Sequence, residues 1–343
     1  MTNKLILVTG GAGYIGSHTV QKLIEANYKV VVLDNLMYGH RHIVEDVLNV
    51  PLIVGKVGNR KLVEDILSGS HPACKGELVT AVMHFAAYAY VNESVNNPSK
   101  YYQNNLGDSL ILLEALKNEK KRRGDRPIPL VFSSTCATYG TPDSSQIPIT
   151  EKTRQSPINP YGRSKWMVEQ IIIDYWKAYR MPGIIFRYFN AAGADPSGNL
   201  GEIHRPETHL IPLAIATALN KKSYLKIFGD DYPTEDGTCI RDYIHVNDLA
   251  DAHIKGLRLV LKQSCMNIFN LGIGKGYSVK EVVDTVNEVT GLEIPIKIED
   301  RRQGDPPILV AVSDKARKEL DWEPRFTKLS TIVRHAWNWH RKQ

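Results

Sequence analysis

Short apolar runs alternate with amphipathic helical stretches through the first half of the chain. The runs at residues 5–8, 30–33, 52–54, 81–85, 130–133 and 183–188 predict strands, because they are brief, nearly uncharged and rich in branched residues. Apolar positions at helical spacing predict helices over 14–26, 98–121 and 161–179. Strands that alternate with helices are typical of a parallel sheet with helices on both faces. The sequence therefore predicts an α/β fold with a doubly wound parallel sheet.

The pattern loosens after Asn190. Gly, Pro and His become frequent up to Pro212, which favours loops that cover a ligand. Regular patterning then returns, with strands predicted at 242–246 and 294–298 and helices at 246–261, 278–291 and 322–343. Ser278 followed three residues later by Glu281 is a capping box at the start of one of these helices. This part of the chain is expected to form a smaller C-terminal α/β lobe.

Composition removes several classes of function. The chain has 343 residues and a net charge of +6, and the basic run Lys117–Arg126 contains no aromatic residue, so a nucleic-acid groove is not expected. Its four cysteines form no CxxC pair and no zinc-type spacing, and no metal site is predicted. The N-terminal residues lack the pattern of a signal peptide, and no apolar window is long enough for a membrane span. We expect a cytoplasmic protein that binds neither nucleic acid nor a membrane.

A glycine-rich turn links the first predicted strand to the first predicted helix. Gly10, Gly13 and Gly16 follow a G-x-x-G-x-x-G spacing, a variant of the Rossmann fingerprint, in which backbone and a helix N-terminus approach a pyrophosphate. Asp34 ends the second strand about 20 residues further on, where a carboxylate can accept both ribose hydroxyls. The same carboxylate would repel a 2′-phosphate, so NAD is favoured over NADP.

Tyr161 and Lys165 lie four residues apart on one predicted helix, which places both side chains on the same face. A phenol has an ordinary pKa near 10, and a nearby ammonium lowers that pKa. The pair is a plausible device for taking a proton from an alcohol. The hydroxyl-rich strand end, residues 133–135, precedes it by about 25 residues.

Together these motifs resemble the extended short-chain dehydrogenase/reductase superfamily, and more narrowly its UDP-glucose 4-epimerase family. The narrower resemblance rests on motifs that span residues 5–314: Thr9–His18, Val32–Leu36, Tyr101–Asn105, Arg187–Asn190, Asp231–Thr238 and Arg241–His245. It implies that residues 1–189, with about 240–270, form an NAD-binding domain. Residues 190–239 and 271–343 would form a UDP-sugar-binding domain.

The resemblance also implies roles for individual residues. Tyr161 would be the catalytic base, Lys165 would support it and hold the nicotinamide ribose, and Thr135 stands where the family usually has Ser. The implied cofactor-binding residues are Gly10, Gly13, Tyr14, Ile15, Gly16, Asp34, Asn35, Phe85, Ala86, Asn104, Ser133, Tyr161, Lys165 and Tyr188. The implied substrate-binding residues are Thr135, Asn190, His209, Leu210, Phe228, Arg241, Arg302, Asp305 and Leu309.

Three residues depart from the family pattern. Lys56 stands where the family has an Asp that holds the adenine amino group, and an ammonium can only donate. Ala89 replaces a Lys that supports the cofactor phosphates. His209 replaces an Asn that meets the substrate diphosphate, although it can still donate a hydrogen bond.

The implied reaction interconverts UDP-glucose and UDP-galactose by transient NAD-dependent oxidation at C4, rotation of the 4-keto sugar and re-reduction. A UDP-pentose 4-epimerase or a UDP-N-acetylhexosamine 4-epimerase remains an alternative, and the resemblance implies that Leu309 occupies the position at which the family gates N-acetylated sugars. A 4,6-dehydratase is disfavoured, because Cys136 and Ala137 supply no acid pair. A non-catalytic NAD-binding module is disfavoured because both Tyr161 and Lys165 are present. A homodimer is expected through helices 98–121 and 161–179.

Overall fold

The computed structural model describes residues 4–302 and 305–343, and the backbone divides into two compact units. The first unit comprises residues up to Thr138 together with 157–187 and 250–269. The second comprises 139–156, 188–249 and 270–343. Residues 139–156 and 240–249 therefore group with the second unit, whereas the sequence placed them with the first domain. The reason lies in strand pairing, since residues 240–245 form the centre of a sheet in the second unit.

The strands and helices alternate through most of the first unit. The strands are β1 (Leu5–Thr9), β2 (Lys29–Asp34), β3 (Leu52–Val54), β4 (Val79–His84), β5 (Leu130–Thr135), β6 (Gly183–Tyr188), β7 (Asn190–Ala192), β8 (Leu225–Phe228), β9 (Ile240–His245), β10 (Met266–Leu271), β11 (Gly276–Ser278), β12 (Ile296–Glu299) and β13 (Ile308–Leu309). The α-helices are α1 (Tyr14–Glu25), α2 (Arg60–Leu67), α3 (Val91–Asn96), α4 (Pro98–Tyr101), α5 (Ser109–Arg122), α6 (Pro160–Tyr179), α7 (Leu210–Ala218), α8 (Val246–Gln263), α9 (Val279–Thr290), α10 (Asp314–Leu320) and α11 (Leu329–His340).

The principal sheet has seven strands in the order β10-β6-β5-β4-β1-β2-β3. β1 runs parallel to both β2 and β4, and β4 runs parallel to β5. Every residue of β1 and of β5 is buried. This agrees with the prediction from their apolar runs, which are typical of strands covered on both faces. The predicted α/β fold with a doubly wound parallel sheet is confirmed.

The second unit is built on smaller sheets. β9 is flanked by β11 and β13, and β7 also pairs with it, while β8 and β12 form a separate parallel pair. Helices α7, α9 and α11 pack together over an apolar cluster that includes Ile215, Val282 and Ile332. The predicted capping box is present at the start of α9, where Ser278 Oγ accepts the Glu281 N–H and Glu281 Oε2 accepts the Ser278 N–H.

Two predicted helices differ from the structure. The helix expected over 98–121 contains a wider π-helical segment at Tyr102–Asp108, between α4 and α5. The helix expected over 322–343 begins only at Leu329. Pro324 opposes helix continuation there. In addition, Asp248 binds the segment before this helix. Its backbone carbonyl accepts a hydrogen bond from the Trp322 indole, and its carboxylate accepts one from the Phe326 N–H. The loop predicted up to residue 212 ends earlier, because α7 begins at Leu210 with a proline in its first turn.

Candidate active site

The glycine turn brings backbone atoms of two strand ends into close contact. Gly10 adopts a left-handed φ of +74°, and a Cβ there would lie 2.5 Å from the backbone nitrogen of Ala86. Only glycine satisfies both the conformation and the contact. Gly13 is the N-cap of α1 and supplies no side-chain cap, and Tyr14, Ile15 and Gly16 form the first turn of that helix. The N–H groups at this helix end are the kind of site that binds phosphate.

Asp34, at the end of β2, fastens the glycine turn to the sheet. Its Oδ2 accepts the Ala12 N–H at 3.0 Å, and its Oδ1 accepts the Leu36 N–H at 2.9 Å. Burial raises the pKa of Asp34, while these two hydrogen bonds act in the opposite direction. Each carboxylate oxygen keeps a further lone pair, so the group can also accept hydroxyls of a ribose. The neighbouring Asn35 accepts the Met37 N–H and shapes the turn after β2.

The loop after β4 passes directly beside the glycine turn. The N–H groups of Phe85 and Ala86 both donate to the Thr9 carbonyl, at 2.9 and 3.1 Å. The Phe85 ring packs against the His253 ring, with 4.8 Å between the ring centroids. Both residues were named from the family resemblance, and they border the turn that contains Gly10.

Asn104 and Asn105 lie in the π-helical segment between α4 and α5. Asn104 donates to the side-chain oxygen of Asn105 at 3.0 Å. The buried Asn105 amide accepts the Tyr88 N–H and donates to both the Tyr88 carbonyl and Ser164 Oγ, at 2.8, 3.0 and 3.1 Å. Asn105 thus ties the loop after β4 to the helix that carries Tyr161 and Lys165. Sequence reasoning selected Asn104 and passed over this neighbour.

Helix α6 carries the proposed proton-transfer pair. Asn159 caps it by accepting the Gly162 N–H at 2.8 Å, and Pro160 occupies its first position. Tyr161 and Lys165 are 8% and 4% exposed and lie on its buried face, as their spacing predicts. A Cβ on Gly162 would lie 2.5 Å from the Ala137 carbonyl, so glycine lets α6 approach the turn that follows Thr135.

Lys165 is anchored at the end of β5. Its Nζ donates to the Ser133 carbonyl at 2.7 Å and lies 4.8 Å from the centroid of the Phe132 ring. Burial lowers the pKa of Lys165 to about 7, and the negative charge of Glu169 opposes that change. Thr135 closes the same strand, and its Oγ1 accepts the Ala137 N–H at 3.1 Å. The structure therefore places Lys165 against Ser133, two residues before Thr135 on the same strand.

A buried ion pair lies one helical turn beyond Lys165. The Arg187 guanidinium donates through Nε and Nη2 to Glu169 Oε2, at 3.0 and 2.7 Å, and the two side chains are 4% and 0% exposed. Ser134 also donates to Glu169. This pair holds α6 against β5 and β6. The sequence did not show that this ion pair is buried. Its two members are 18 positions apart in the chain, and no local pattern relates them.

Four of the nine residues expected to contact a UDP-sugar lie on or beside β9 in the second unit. Arg241 Nη2 pairs with Asp305 Oδ1 at 2.9 Å. Leu309 is opposite Arg241 in the β13–β9 register, and it is 7% exposed. Asn190, on β7, pairs in register with Tyr243 on the same strand β9. Tyr188 ends β6, two residues before Asn190.

Two further expected contacts form a stacked pair. The Arg302 guanidinium carbon lies 3.8 Å from the centroid of the Phe228 ring. Burial lowers the pKa of Arg302, while the charge of Asp305 acts in the opposite direction. A planar guanidinium held against a ring is suited to binding phosphate, because stacking fixes its donors in one plane.

His209 and Leu210 lie at the start of α7, where His209 is the N-cap residue. His209 Nδ1 lies 2.8 Å from Glu202 Oε1 and 3.0 Å from Glu207 Oε1. Burial acts to lower the pKa of His209, but the charges and hydrogen bonds of Glu202 and Glu207 together outweigh that effect and raise the pKa to about 10. Neither carboxylate was singled out from the sequence.

Comparison with known proteins identifies the family. The NAD dependent epimerase/dehydratase family matches residues 6–272. A UDP-glucose 4-epimerase of Halalkalibacterium halodurans is 47% identical over 98% of this chain and 96% of that protein. A probable UDP-arabinose 4-epimerase of Oryza sativa is 42% identical over 98% of this chain and 82% of that protein. The crystal structure of UDP-glucose 4-epimerase from Brucella ovis in complex with NAD has a TM-score of 0.89 and 42% identity, over 97% of each chain.

The chain belongs to the NAD dependent epimerase/dehydratase family, and within it to the UDP-glucose 4-epimerases. Among the helices in residues 4–302 and 305–343, none has both the length and the apolar character needed to cross a bilayer.

Proposed function

We propose that this protein is an NAD-dependent isomerase that interconverts UDP-glucose and UDP-galactose. The observation that carries the proposal is the burial of Tyr161 and Lys165 on one face of α6, with Lys165 bonded to the Ser133 carbonyl. A phenol beside a desolvated, fixed ammonium is suited to accepting a proton from a sugar hydroxyl. The membership of the chain in the epimerase family gives that proton transfer its substrate.

The residues around the glycine turn fit NAD. Gly10 lets the turn approach the backbone of Ala86, the N–H groups at the start of α1 lie at this turn, and Asp34 offers acceptors to a ribose. Phe85, Ala86 and Asn104 would complete the walls of this site. When bound, NAD would supply the hydride acceptor for the oxidation at C4 of the sugar and the donor for its re-reduction.

The protein's own contribution is proton transfer and positioning. Tyr161 removes the proton of the 4-hydroxyl as the alcohol becomes a ketone, and it returns the proton to the same oxygen after the 4-keto sugar has rotated. Lys165 stabilises the phenolate electrostatically, since an adjacent anion favours the charged ammonium that burial otherwise disfavours. The Thr135 hydroxyl can donate a hydrogen bond to the reacting oxygen.

The second unit holds the nucleotide part of the substrate in this proposal. Arg241 and Arg302 bind the diphosphate, and His209 donates to it, while Asn190, Leu210, Phe228 and Asp305 contact the uridine diphosphate. Binding energy concentrated on the nucleotide leaves the sugar free to rotate as a ketone without being released.

A UDP-pentose is the second candidate substrate, because the probable UDP-arabinose 4-epimerase of rice is 42% identical to this chain. Purified protein assayed side by side with UDP-galactose and UDP-arabinose separates the two. We expect the higher kcat/KM for UDP-galactose. A higher value for UDP-arabinose would reassign the substrate while leaving the chemistry of Tyr161 intact.

We also propose that two copies associate through α5 and α6. Leu110 on α5 is 41% exposed, and Trp166 and Met167 on α6 are only partly buried. Apolar side chains on the outer faces of two long helices are suited to a four-helix interface. Light scattering during size-exclusion chromatography should give twice the mass of one chain, and Leu110→Glu should shift that mass to the monomer. A wild-type monomer at micromolar concentration would contradict the proposal.

The proposed location is the cytoplasm. None of the four cysteines, all of which lie within the described residues, forms a disulfide, which is typical of proteins in reducing compartments. Cell fractionation with an antibody against the protein would test this.

A further inference from the structure

Four side chains from one short segment converge ahead of helix α7. The side chains are those of Glu202, His204, Glu207 and His209, and one ligand-type atom from each lies within 4.8 Å of the other three. We call them the 202–209 cluster. Glu202 Oε1 lies 3.0 Å from His204 Nδ1 and 2.8 Å from His209 Nδ1. Glu207 approaches the same two imidazoles, at 3.8 Å from His204 and 3.0 Å from His209.

Three of these four separations, at 2.8–3.0 Å, are close to the edge length of a coordination tetrahedron. Nitrogen and oxygen ligands about 2.0–2.1 Å from a zinc ion lie ~3.3 Å from one another. Ordinary ion pairing would match each imidazole with one carboxylate oxygen. Here each imidazole nitrogen instead faces two carboxylates.

The most buried member of the cluster supplies an independent observation. The Glu202 side chain is 4% exposed, and its Oε1 accepts no aligned hydrogen bond despite the two short contacts. A buried carboxylate oxygen carries a large desolvation cost unless a cation or a directed donor compensates it. Oε1 lies beside both imidazoles, where either a protonated imidazole or a bound metal ion would compensate its charge.

The surroundings hold two of these residues in place. The Trp339 indole N–H donates to the Glu202 carbonyl at 3.2 Å. Glu207 Oε1 accepts the N–H groups of Thr208 and His209, at 2.7 and 2.8 Å. Outer contacts of this kind orient ligand side chains in metal sites.

We propose that the 202–209 cluster binds one divalent transition-metal ion, with zinc as the best match. Two imidazole nitrogens and two carboxylate oxygens form a ligand set that zinc accepts, and the two carboxylates neutralise its charge. Hard cations such as magnesium prefer oxygen ligands and are disfavoured by the two nitrogens. The ion would pin the loop before α7 and, by occupying His209 Nδ1, leave Nε2 of that ring as a hydrogen-bond donor. Metal binding is measured without the epimerase reaction, so its failure and a failure of the proposed function are distinguishable.

The test uses the full-length protein after treatment with a chelator and dialysis. We expect zinc titration, followed by desalting and elemental analysis, to give one equivalent per chain in the wild type. His204→Ala, which removes one ligand from a partly exposed position, should weaken zinc binding by about 10–100-fold or more. The matched control is His42→Ala, which removes an exposed histidine from the first unit and should bind zinc as tightly as the wild type.

Cobalt(II) binding to the wild type gives a second readout that needs no variant. A tetrahedral nitrogen and oxygen site should give visible absorption without a thiolate-to-metal charge-transfer band. A thiolate band would assign the metal to a cysteine and overturn the proposal. Two further results would overturn it. One is a wild type that retains no stoichiometric zinc, which would mean that protons alone hold the cluster together. The other is a His204→Ala variant that binds zinc like the wild type.

Discussion

Lys165 Nζ donates a hydrogen bond to the backbone carbonyl of Ser133 across 2.7 Å. This bond joins the buried face of α6 to the end of β5 and fixes the ammonium one helical turn from Tyr161. Because a carbonyl oxygen carries no net charge, the bond positions the ammonium without neutralising it. The positive charge therefore remains available to a phenolate.

Removal of the Tyr161 hydroxyl should stop turnover without unfolding the protein. For Tyr161→Phe we expect kcat to fall by about 10²–10⁴-fold, the usual worth of a general base, with an unchanged melting temperature. A coupled assay with UDP-galactose measures the loss. Tyr179→Phe, at the exposed end of the same helix, is the control and should keep wild-type kcat. Wild-type turnover by Tyr161→Phe would remove that residue from the mechanism.

Asp34 should set the preference for NAD over NADP. Asp34→Asn removes the charge but keeps an acceptor for the Ala12 N–H, whereas Asp34→Ala removes both. We expect both variants to lower the ratio of the NADP dissociation constant to the NAD dissociation constant, both measured by calorimetry. Asp34→Ala should also lose about 1–2 kcal/mol of unfolding free energy, because the loop loses its acceptors. An unchanged ratio in both variants would show that the charge does not select the cofactor.

Leu309 should determine whether an N-acetylated sugar is accepted. We expect good activity of the wild type on UDP-galactose and weaker activity on UDP-N-acetylgalactosamine, since Leu leaves more room than Tyr but offers no hydrogen bond. Leu309→Tyr should abolish the second activity and spare the first. Leu309→Met, which nearly conserves volume, is the control and should retain both activities. The gate assignment fails if the wild type rejects the acetylated sugar while turning over UDP-galactose.

The contributions of Arg187 and Glu169 to the free energy of unfolding should be coupled, because each buried charge is compensated by the other. Arg187→Met leaves the Glu169 carboxylate buried without its cation, and we expect a loss of about 3–5 kcal/mol in urea unfolding. Arg187→Met combined with Glu169→Leu should lose less than the sum of the two single variants. The control is Glu114→Gln, in a partly exposed pair with Lys117, where a change of about 0–1 kcal/mol is expected. Strict additivity at 169 and 187 would contradict the coupling.

His84 should make stability depend on pH on the acid side. It is buried between Thr9 Oγ1 and Ser109 Oγ, at 2.6 and 2.9 Å, and burial lowers its pKa to about 3, with the charge of Lys165 acting in the same direction. The unfolded chain takes up a proton near the ordinary pKa of 6.5, while folded His84 stays neutral until about pH 3. Its contribution to stability is therefore present above pH 6.5 and is lost progressively as pH falls toward 3.

Urea unfolding at several pH values between these limits measures the effect. Uptake of one proton on unfolding changes the free energy of unfolding by about 1.4 kcal/mol per pH unit. His84→Asn should remove this slope from the wild-type profile of stability against pH. His42→Asn, at an exposed position, should leave the slope unchanged. An equal slope in wild type and His84→Asn would assign the acid sensitivity to other groups.

The sequence by itself determined the elements that depend on neighbouring residues. The buried strands, the α1 start at the glycine turn and the Ser278 capping box depend on residues within a few positions of one another, so periodicity and spacing were enough to predict them. The shared face of Tyr161 and Lys165 follows from the helical repeat alone. The same reasoning placed Asp34 at the end of β2, beside the turn that its carboxylate then holds.

Tertiary structure decided the features whose partners are far apart in the chain. Asn105 meets Ser164 across 59 positions and Asp248 accepts from Trp322 across 74, and no pattern in either segment records the other. The assignment of residues 240–249 to the second unit depends on the strands that pair with β9, which come from before and after it in the sequence. The 202–209 cluster is close in sequence, but its chemistry depends on burial, because an exposed run of Glu and His is only a solvated loop. Burial is a property of the whole fold, since long-range packing removes the water around each side chain.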